Sequence, residues 1–366
     1  MTQEPSRHYA PYMVWAKHRR PATLDLAASN LLGCDIDELQ GARDALTLEG
    51  SNPDGYRPLI EAIAAHYGVD GTHVMTANGC SGANMIVMGA LLSPGDEVVM
   101  ERPFYDPLIS AARFVGADVR TFDRRYEDGY ALDPDALTRA MTPRTKLVVL
   151  TNPHNPSGTV LDDASVRAAA DVAARHGAFL LVDEVYLDIV NVLGEQPRRT
   201  PAALLAPNAI STSSLTKSYG LNALRCGWVV AAPAIIARVQ RARDIVDCIG
   251  PVPIERLSAL AFSQLGHFAD RAQSLVATNL GTFRVWIAGV PRLTLPAGPQ
   301  ASTVVFPRVD GVADTRDLAD ALHREHDVAV VPGHFFGEPR NIRLSLAGRP
   351  DVLRDGLTRL ANFLGR

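Results

Sequence analysis

In the stretch "STSSLTKSYGLNALRCGW" (211–228), one lysine, Lys217, stands among small and hydroxylated residues. Arg225 follows eight positions later and Gly227 two beyond that. No acidic residue lies between Glu195 and Asp244. A lysine on an ordinary solvated face sits among other charges, so this one is either an isolated surface residue or an amine with a chemical task. Four other pieces carry similar questions. "NGCSGANM" (78–85) is a glycine-bracketed turn leading into an apolar helix; it is a tight loop, or its free N–H groups and helix dipole hold a phosphate. "NPHNPSG" (152–158) must be irregular, because two Asn-Pro steps and a Ser-Gly bar regular structure. It is a plain turn or one that aims an Asn side chain, Asn152 or Asn155, at a ligand. "LLVDEVY" (180–186) ends a buried strand on Asp183, a carboxylate that is costly to bury uncompensated. It caps the next helix or faces a protonated ring nitrogen. "NIRLSLA" (341–347) sets Arg343 in an apolar strand, where the guanidinium is expected to find an anion, structural or borne by a ligand.

The elements around these pieces read as an α/β fold. "EVVM" (97–100), "DVRTF" (118–122), "KLVVLT" (146–151), "AFLLVD" (178–183), "AIST" (209–212) and "WVVAA" (228–232) are strand-like. Between them, "DASVRAAADVAARHG" has helical spacing, with Asp163 as the expected N-cap and Gly177 past its end. Strands alternating with helices predict crossover units and a mostly parallel sheet. Ligands bind such sheets at the carboxyl ends of the strands, and Asn155, Asp183 and Lys217 all follow strands. After about residue 233 come longer helices through 288, then strand-like "STVVFP" (302–307), a helix at 315–326, "VAVVPG" (328–333), "NIRLSL" (341–346) and a last helix from 351. The expected division is a large domain over 45–245 and a smaller α+β domain made of 1–44 and 246–366.

Length and composition set outer bounds. A chain of 366 residues suits two domains at about 150 residues each. With 47% hydrophobic and 21% charged residues and a net charge of −4, it has no polybasic run, which argues against a nucleic-acid partner. The apolar runs are strand-length, too short for a membrane span, and the polar N-terminus lacks a signal-peptide core. Cys34, Cys80, Cys226 and Cys248 show no metal-ligand spacing. The expectation is a cytoplasmic protein with no metal.

The order and spacing of the five pieces resemble fold-type I pyridoxal-phosphate enzymes of the class I/II aminotransferase family, from about residue 24 to the end. The resemblance implies a seven-stranded, mostly parallel sheet and a pyridoxal 5′-phosphate cofactor bonded to Lys217 as a Schiff base. It places Ser214, Arg225, Cys80 and Ser81 on the cofactor phosphate and stacks Tyr105 on the pyridine. Asn155 and Tyr186 would meet the phenolic oxygen, and Asp183 would keep the ring nitrogen protonated. Arg343 would clamp the substrate α-carboxylate, and family active sites lie at a homodimer interface. Such a ring is an electron sink only while its nitrogen stays protonated. A lysine beside the substrate Cα can shuttle a proton, and a planar guanidinium grips a carboxylate through two hydrogen bonds.

Three departures from the family pattern bear on the substrate. Gly50 stands where many relatives carry a tyrosine that reaches the partner subunit, and Tyr56 is out of register. Ala223 replaces a usual glycine. "LDLAASNLLG" (24–33) replaces a glycine-containing segment that lines the carboxylate site, with Asn30 taking part of that job. The leading expectation is an aminotransferase exchanging an α-amino group between an amino acid and a 2-oxo acid. The alternative is a lyase, decarboxylase or amino-acid cyclase on the same scaffold. A ligand-sensing domain of a transcription regulator is disfavoured, since fewer than about 50 residues precede the fold and none read as helix-turn-helix.

Overall fold

The structure, a computed structural model, describes residues 8–298 and 302–365. Seven strands form one sheet in the order Val74–Asn78, Cys226–Val230, Ala209–Ser214, Phe179–Asp183, Thr145–Thr151, Glu97–Arg102, Asp118–Asp123. Neighbours are parallel except where Cys226–Val230 runs antiparallel to both of its partners. The central strands are buried on both sides, as a sheet covered by helices requires. Val98, Met100, Leu147, Val149 and Leu181 belong to one core; Val99, Val148, Leu150, Leu180 and Val182 belong to the other. That alternation is the period of two of a pleated strand. Helices Gly79–Leu91, Asp106–Phe114 and Pro233–Val246 cover the first face, and Pro134–Ala140 with Asp163–Arg175 covers the second.

Several local expectations are corrected. The edge strand Val74–Asn78 was not foreseen, because "VMTAN" is short and half polar. The strand expected at 228–232 spans Cys226–Val230, since Pro233 already opens the next helix. The cap of Asp163–Arg175 is Asp162, whose carboxylate accepts from Ser165 N at 2.8 Å; the Asp163 carboxylate is taken up by Thr200 N at 3.1 Å. Of "STVVFP", only Val304–Val305 joins a ladder.

Beyond the sheet, Leu24–Asp25 pairs in parallel with Val328–Ala329. Ile342–Ser345 lies between Val304–Val305 and Val331–Pro332, antiparallel to both. Helices Leu265–Ile287, Arg316–His326 and Pro350–Leu364 close over these strands around Leu24, Phe283, Val328, Leu344 and Leu357. Among the described residues no helix is long and apolar enough to cross a membrane. The pairing directions bring the carboxyl ends of six sheet strands to one edge, together with the amino end of Cys226–Val230.

Candidate active site

A cavity of about 340 Å3 opens at that edge, within the range of about 300–1,000 Å3 usual for small-molecule sites. Lys217, Asp183, Tyr186, Cys80, Ser81, Tyr105, Asn155, Ser214, Arg225 and Asn30 all line it. Arg343 stands just behind the wall, 1% exposed, in contact with Asn155 and Tyr12. The structure thus brings together the residues expected to bind cofactor and substrate, whereas Gly50, Tyr56 and Ala223 lie outside the cavity lining.

Lys217 rides on a short helix, Leu215–Tyr219, that starts as the strand Ala209–Ser214 ends. Ser214 caps this helix, its hydroxyl accepting from Thr216 N at 3.3 Å. Lys217 Nζ donates to Asn30 Oδ1 at 2.6 Å and to Ser29 Oγ at 2.8 Å. Burial, and then the nearby positive charge of Arg343, lowers its pKa to about 7. A substantial share of the amine is therefore neutral near neutral pH and can act as a nucleophile or base.

Asp183 is buried at its strand end. Its Oδ2 accepts from Asn84 Nδ2 at 2.8 Å, and its Oδ1 accepts from Val185 N at 3.2 Å. Burial raises its pKa and the Asn84 hydrogen bond opposes the rise. Asn84 is itself fixed by the Thr212 hydroxyl, which donates to its Oδ1 at 2.6 Å. The Tyr186 hydroxyl is buried and has no hydrogen-bond partner; burial pushes its pKa up to about 12.

Arg343 was expected to find an anion, and among the described residues it has none. Its guanidinium donates instead to Asn155 Oδ1 at 3.1 Å, Tyr12 Oη at 2.6 Å and the Ala27 carbonyl at 3.3 Å, and Nε has no partner. Three neutral oxygens take three of its five N–H groups and leave the charge uncompensated. Asn155 is held in turn by its N–H to Thr151 Oγ1 at 2.9 Å, and Thr151 donates to the buried Glu101 at 2.6 Å.

Arg225 precedes a strand rather than following one, and reaches the cavity because that strand runs backwards. Its guanidinium lies over Gly79, the first residue of the helix Gly79–Leu91; a Cβ there would stand 2.4 Å from Arg225 Nη2. The helix start and this cation together form an anion cradle, with Cys80 and Ser81 in the first turn. The residues present fit a phosphorylated pyridine aldehyde: a cradle for the phosphate, a buried carboxylate, an unpartnered hydroxyl and an amine whose pKa burial lowers.

Sequence reasoning missed Tyr12, Ser29 and Asn84. Asn84 left a signal, being polar in the apolar run "NMIVMGALL" and one helical turn from Cys80. Tyr12 left none, since it meets Arg343 across 331 positions.

The family model for aminotransferase class I and II matches residues 40–360. A protein named capreomycidine synthase from Streptomyces vinaceus is 31% identical over 97% of this chain and 94% of its own length. A probable N-succinyldiaminopimelate aminotransferase of Mycobacterium tuberculosis is 30% identical over 88% of this chain and 87% of its own. Among solved structures, a PLP-dependent aminotransferase from Streptococcus suis superposes with a TM-score of 0.88 at 25% identity, covering 97% of this chain and 96% of that one. The PLP-dependent cyclase OrfR gives 0.85 at 25% identity, covering 100% and 99%. Match and site agree, and the chain belongs to the class I and II aminotransferases, pyridoxal-phosphate enzymes of fold type I.

Proposed function

We propose that this enzyme moves an α-amino group between an amino acid and a 2-oxo acid, with the residues named above in the following roles. Lys217 bonds the cofactor. Cys80, Ser81, Ser214 and Arg225 hold its phosphate, and Tyr105 covers its ring. Asp183 faces the ring nitrogen, while Asn155 and Tyr186 hold the phenolic oxygen. Arg343 takes the substrate α-carboxylate, with Asn155 and Asn30 beside it. When bound, pyridoxal phosphate supplies the electron sink for charge left at the substrate Cα. Arg343 orients the Cα–H bond by fixing the carboxylate in two hydrogen bonds, and Lys217 Nζ removes and returns the proton. The observation that carries the reading is the meeting, at one cavity, of a buried, anion-free guanidinium and a lysine amine whose pKa burial lowers to about 7.

Borohydride reduction of the purified protein should fix the cofactor to Lys217, as read by mass spectrometry. A single amino acid, with no oxo acid present, should change the visible absorbance and release its 2-oxo acid in stoichiometric amount; a second 2-oxo acid should reverse the change. The similarity to a protein named capreomycidine synthase over nearly the whole chain, and the "LDLAASNLLG" segment, favour cyclisation as the second reading, among the lyase-type reactions of this scaffold. Catalytic conversion of an amino acid to a ring product, ammonia or carbon dioxide, without oxo-acid release, would establish it instead.

The same proposal includes a homodimer. Supporting it, Leu48, Ile245, Val246 and Ile249 are exposed apolar side chains, and Asp247, Gly250 and Pro251 line a hollow together with Arg225. The division into a large domain over 45–245 and a small one of 1–44 and 246–366 is supported by the separate cores and by the Leu24–Val328 pairing. A cytoplasmic setting is supported by four cysteines that are all free.

A further inference from the structure

We propose that Ser29 and Asn30 form a seat for the free amine of Lys217, taking two of its N–H hydrogens and leaving its third position turned to the cavity. This goes one step past the family reading and uses that reading only to name the cofactor. Asn30 Oδ1 can only accept, so the 2.6 Å contact must be an N–H donated by Nζ. The Ser29 contact at 2.8 Å takes the second. A neutral amine has two hydrogens and one lone pair, so its lone pair occupies the remaining direction; an ammonium group would place its third hydrogen there.

The seat is rigid enough to choose. Asp25 Oδ1 accepts from Ala27 N at 2.9 Å and Ala28 N at 3.2 Å, which fixes the approach to Ser29. On the far side, Asn222 Nδ2 donates to the Leu31 carbonyl at 3.0 Å, and Leu32 N donates to the Ala347 carbonyl at 2.8 Å. The charged and titratable groups facing Nζ are Arg343, Arg225, Asp183, Cys80 and the ring of Tyr186. The two arginines and burial disfavour the ammonium form, Asp183 favours it, and the neutral seat adds no charge of its own. Ser29 and Asn30 are therefore positioning residues. They act through Lys217 by keeping a neutral, aimed amine, and a carboxylate at position 30 would undo this.

The test uses the full-length chain stripped of cofactor. Modification of Lys217 by trinitrobenzenesulfonate is followed across pH by mass spectrometry, and uptake of pyridoxal phosphate is followed separately by absorbance. Wild type should show a modification midpoint far below the ordinary lysine value of about 10.4. Asn30→Asp should raise that midpoint by about one to three pH units, as an adjacent opposite charge does. Asn30→Leu, which keeps the proposal testable if the aspartate variant does not fold, should lower it further. Ser29→Ala should slow cofactor uptake by about twofold to tenfold, the effect of one hydrogen bond. A wild-type midpoint near the ordinary value overturns the proposal, as does one that moves in neither Asn30 variant. The modification readout needs no cofactor, so it stands even if pyridoxal phosphate does not bind.

Discussion

Replacing Arg343 with leucine separates the proposed substrate clamp from the structural alternative. The guanidinium is 1% exposed and has no carboxylate among the described residues. Its three partners are the neutral oxygens of Asn155, Tyr12 and Ala27. Removing it orphans no buried anion, which is what usually makes truncating a buried ion pair so damaging. Three acceptors lose a donor at about 1 kcal/mol each, partly offset by placing leucine in the apolar strand Ile342–Ser345. Melting temperature and cofactor binding should therefore change little. Substrate binding should change greatly, since losing a buried charged partner removes about 2–5 kcal/mol. At 1.4 kcal/mol per decade that is a weakening of roughly 30- to 4,000-fold. The assay is titration of holoenzyme with an amino acid through the visible absorbance, beside the matching amine that lacks the α-carboxylate. Wild type should prefer the amino acid strongly, and Arg343→Leu should bind both alike. If the variant binds the amino acid within about threefold of wild type, or loses equal affinity for both ligands, the clamp lies elsewhere.

Gly79→Ala should lower affinity for pyridoxal phosphate by about tenfold or more in an absorbance titration, because its methyl group lands 2.4 Å from Arg225 Nη2 at a φ of +69°. Unchanged affinity would remove Arg225 from the phosphate site. Asn84→Leu deletes the donor to Asp183, so the carboxyl pKa rises further and the acid limb of the amino-acid half-reaction should shift to higher pH; an unmoved limb would make Asn84 structural only. Glu184 is buried, with its pKa raised by burial from 4.5 to about 8. The folded protein thus holds a proton that the unfolded chain has lost, so this contribution to stability is intact below 4.5 and lost as pH rises through 8. Glu184→Gln keeps an acceptor for Ala202 N. It should match wild type in urea denaturation at low pH and exceed it at pH 9, and the reverse order would place the charge elsewhere.

The parts of this site that were legible in the sequence are those with a local context. Asp183 ends one recognisable apolar strand and Asn155 follows another, and Lys217 follows the strand Ala209–Ser214, so a parallel sheet alone places them at one edge. Arg225 is different. It comes before its strand, and it reaches the same edge only because Cys226–Val230 runs antiparallel to its neighbours. No periodicity reveals strand direction, and family spacing rather than local pattern identified it. Tyr12 was invisible because its function exists only in contact with Arg343, 331 residues away. Thr216 shows the same limit: its hydroxyl lines the cavity, buried and unpartnered, yet in the sequence it is one hydroxyl among several.

Three arginines are fully buried among the described residues, and they sharpen the distinction between structure and function. Arg124 meets Glu101 at 2.6 Å, and Arg243 meets Glu255 at 3.3 Å. Both behave as the sequence reading expected of a guanidinium in an apolar setting. Glu101 also braces Thr151, and Glu255 ties Asn52, Tyr56 N and Thr76 together, so each pair holds loops in place. Arg343 alone is left with neutral oxygens, beside a Tyr186 hydroxyl with no partner and a lysine whose charge burial suppresses. Each of these groups makes the folded chain less stable than a satisfied equivalent would. A core under selection for stability alone would supply Arg343 with a carboxylate, as it does for the other two. What separates Arg343 from Arg124 and Arg243 is therefore the missing carboxylate, which is what the proposed clamp on a substrate carboxylate requires.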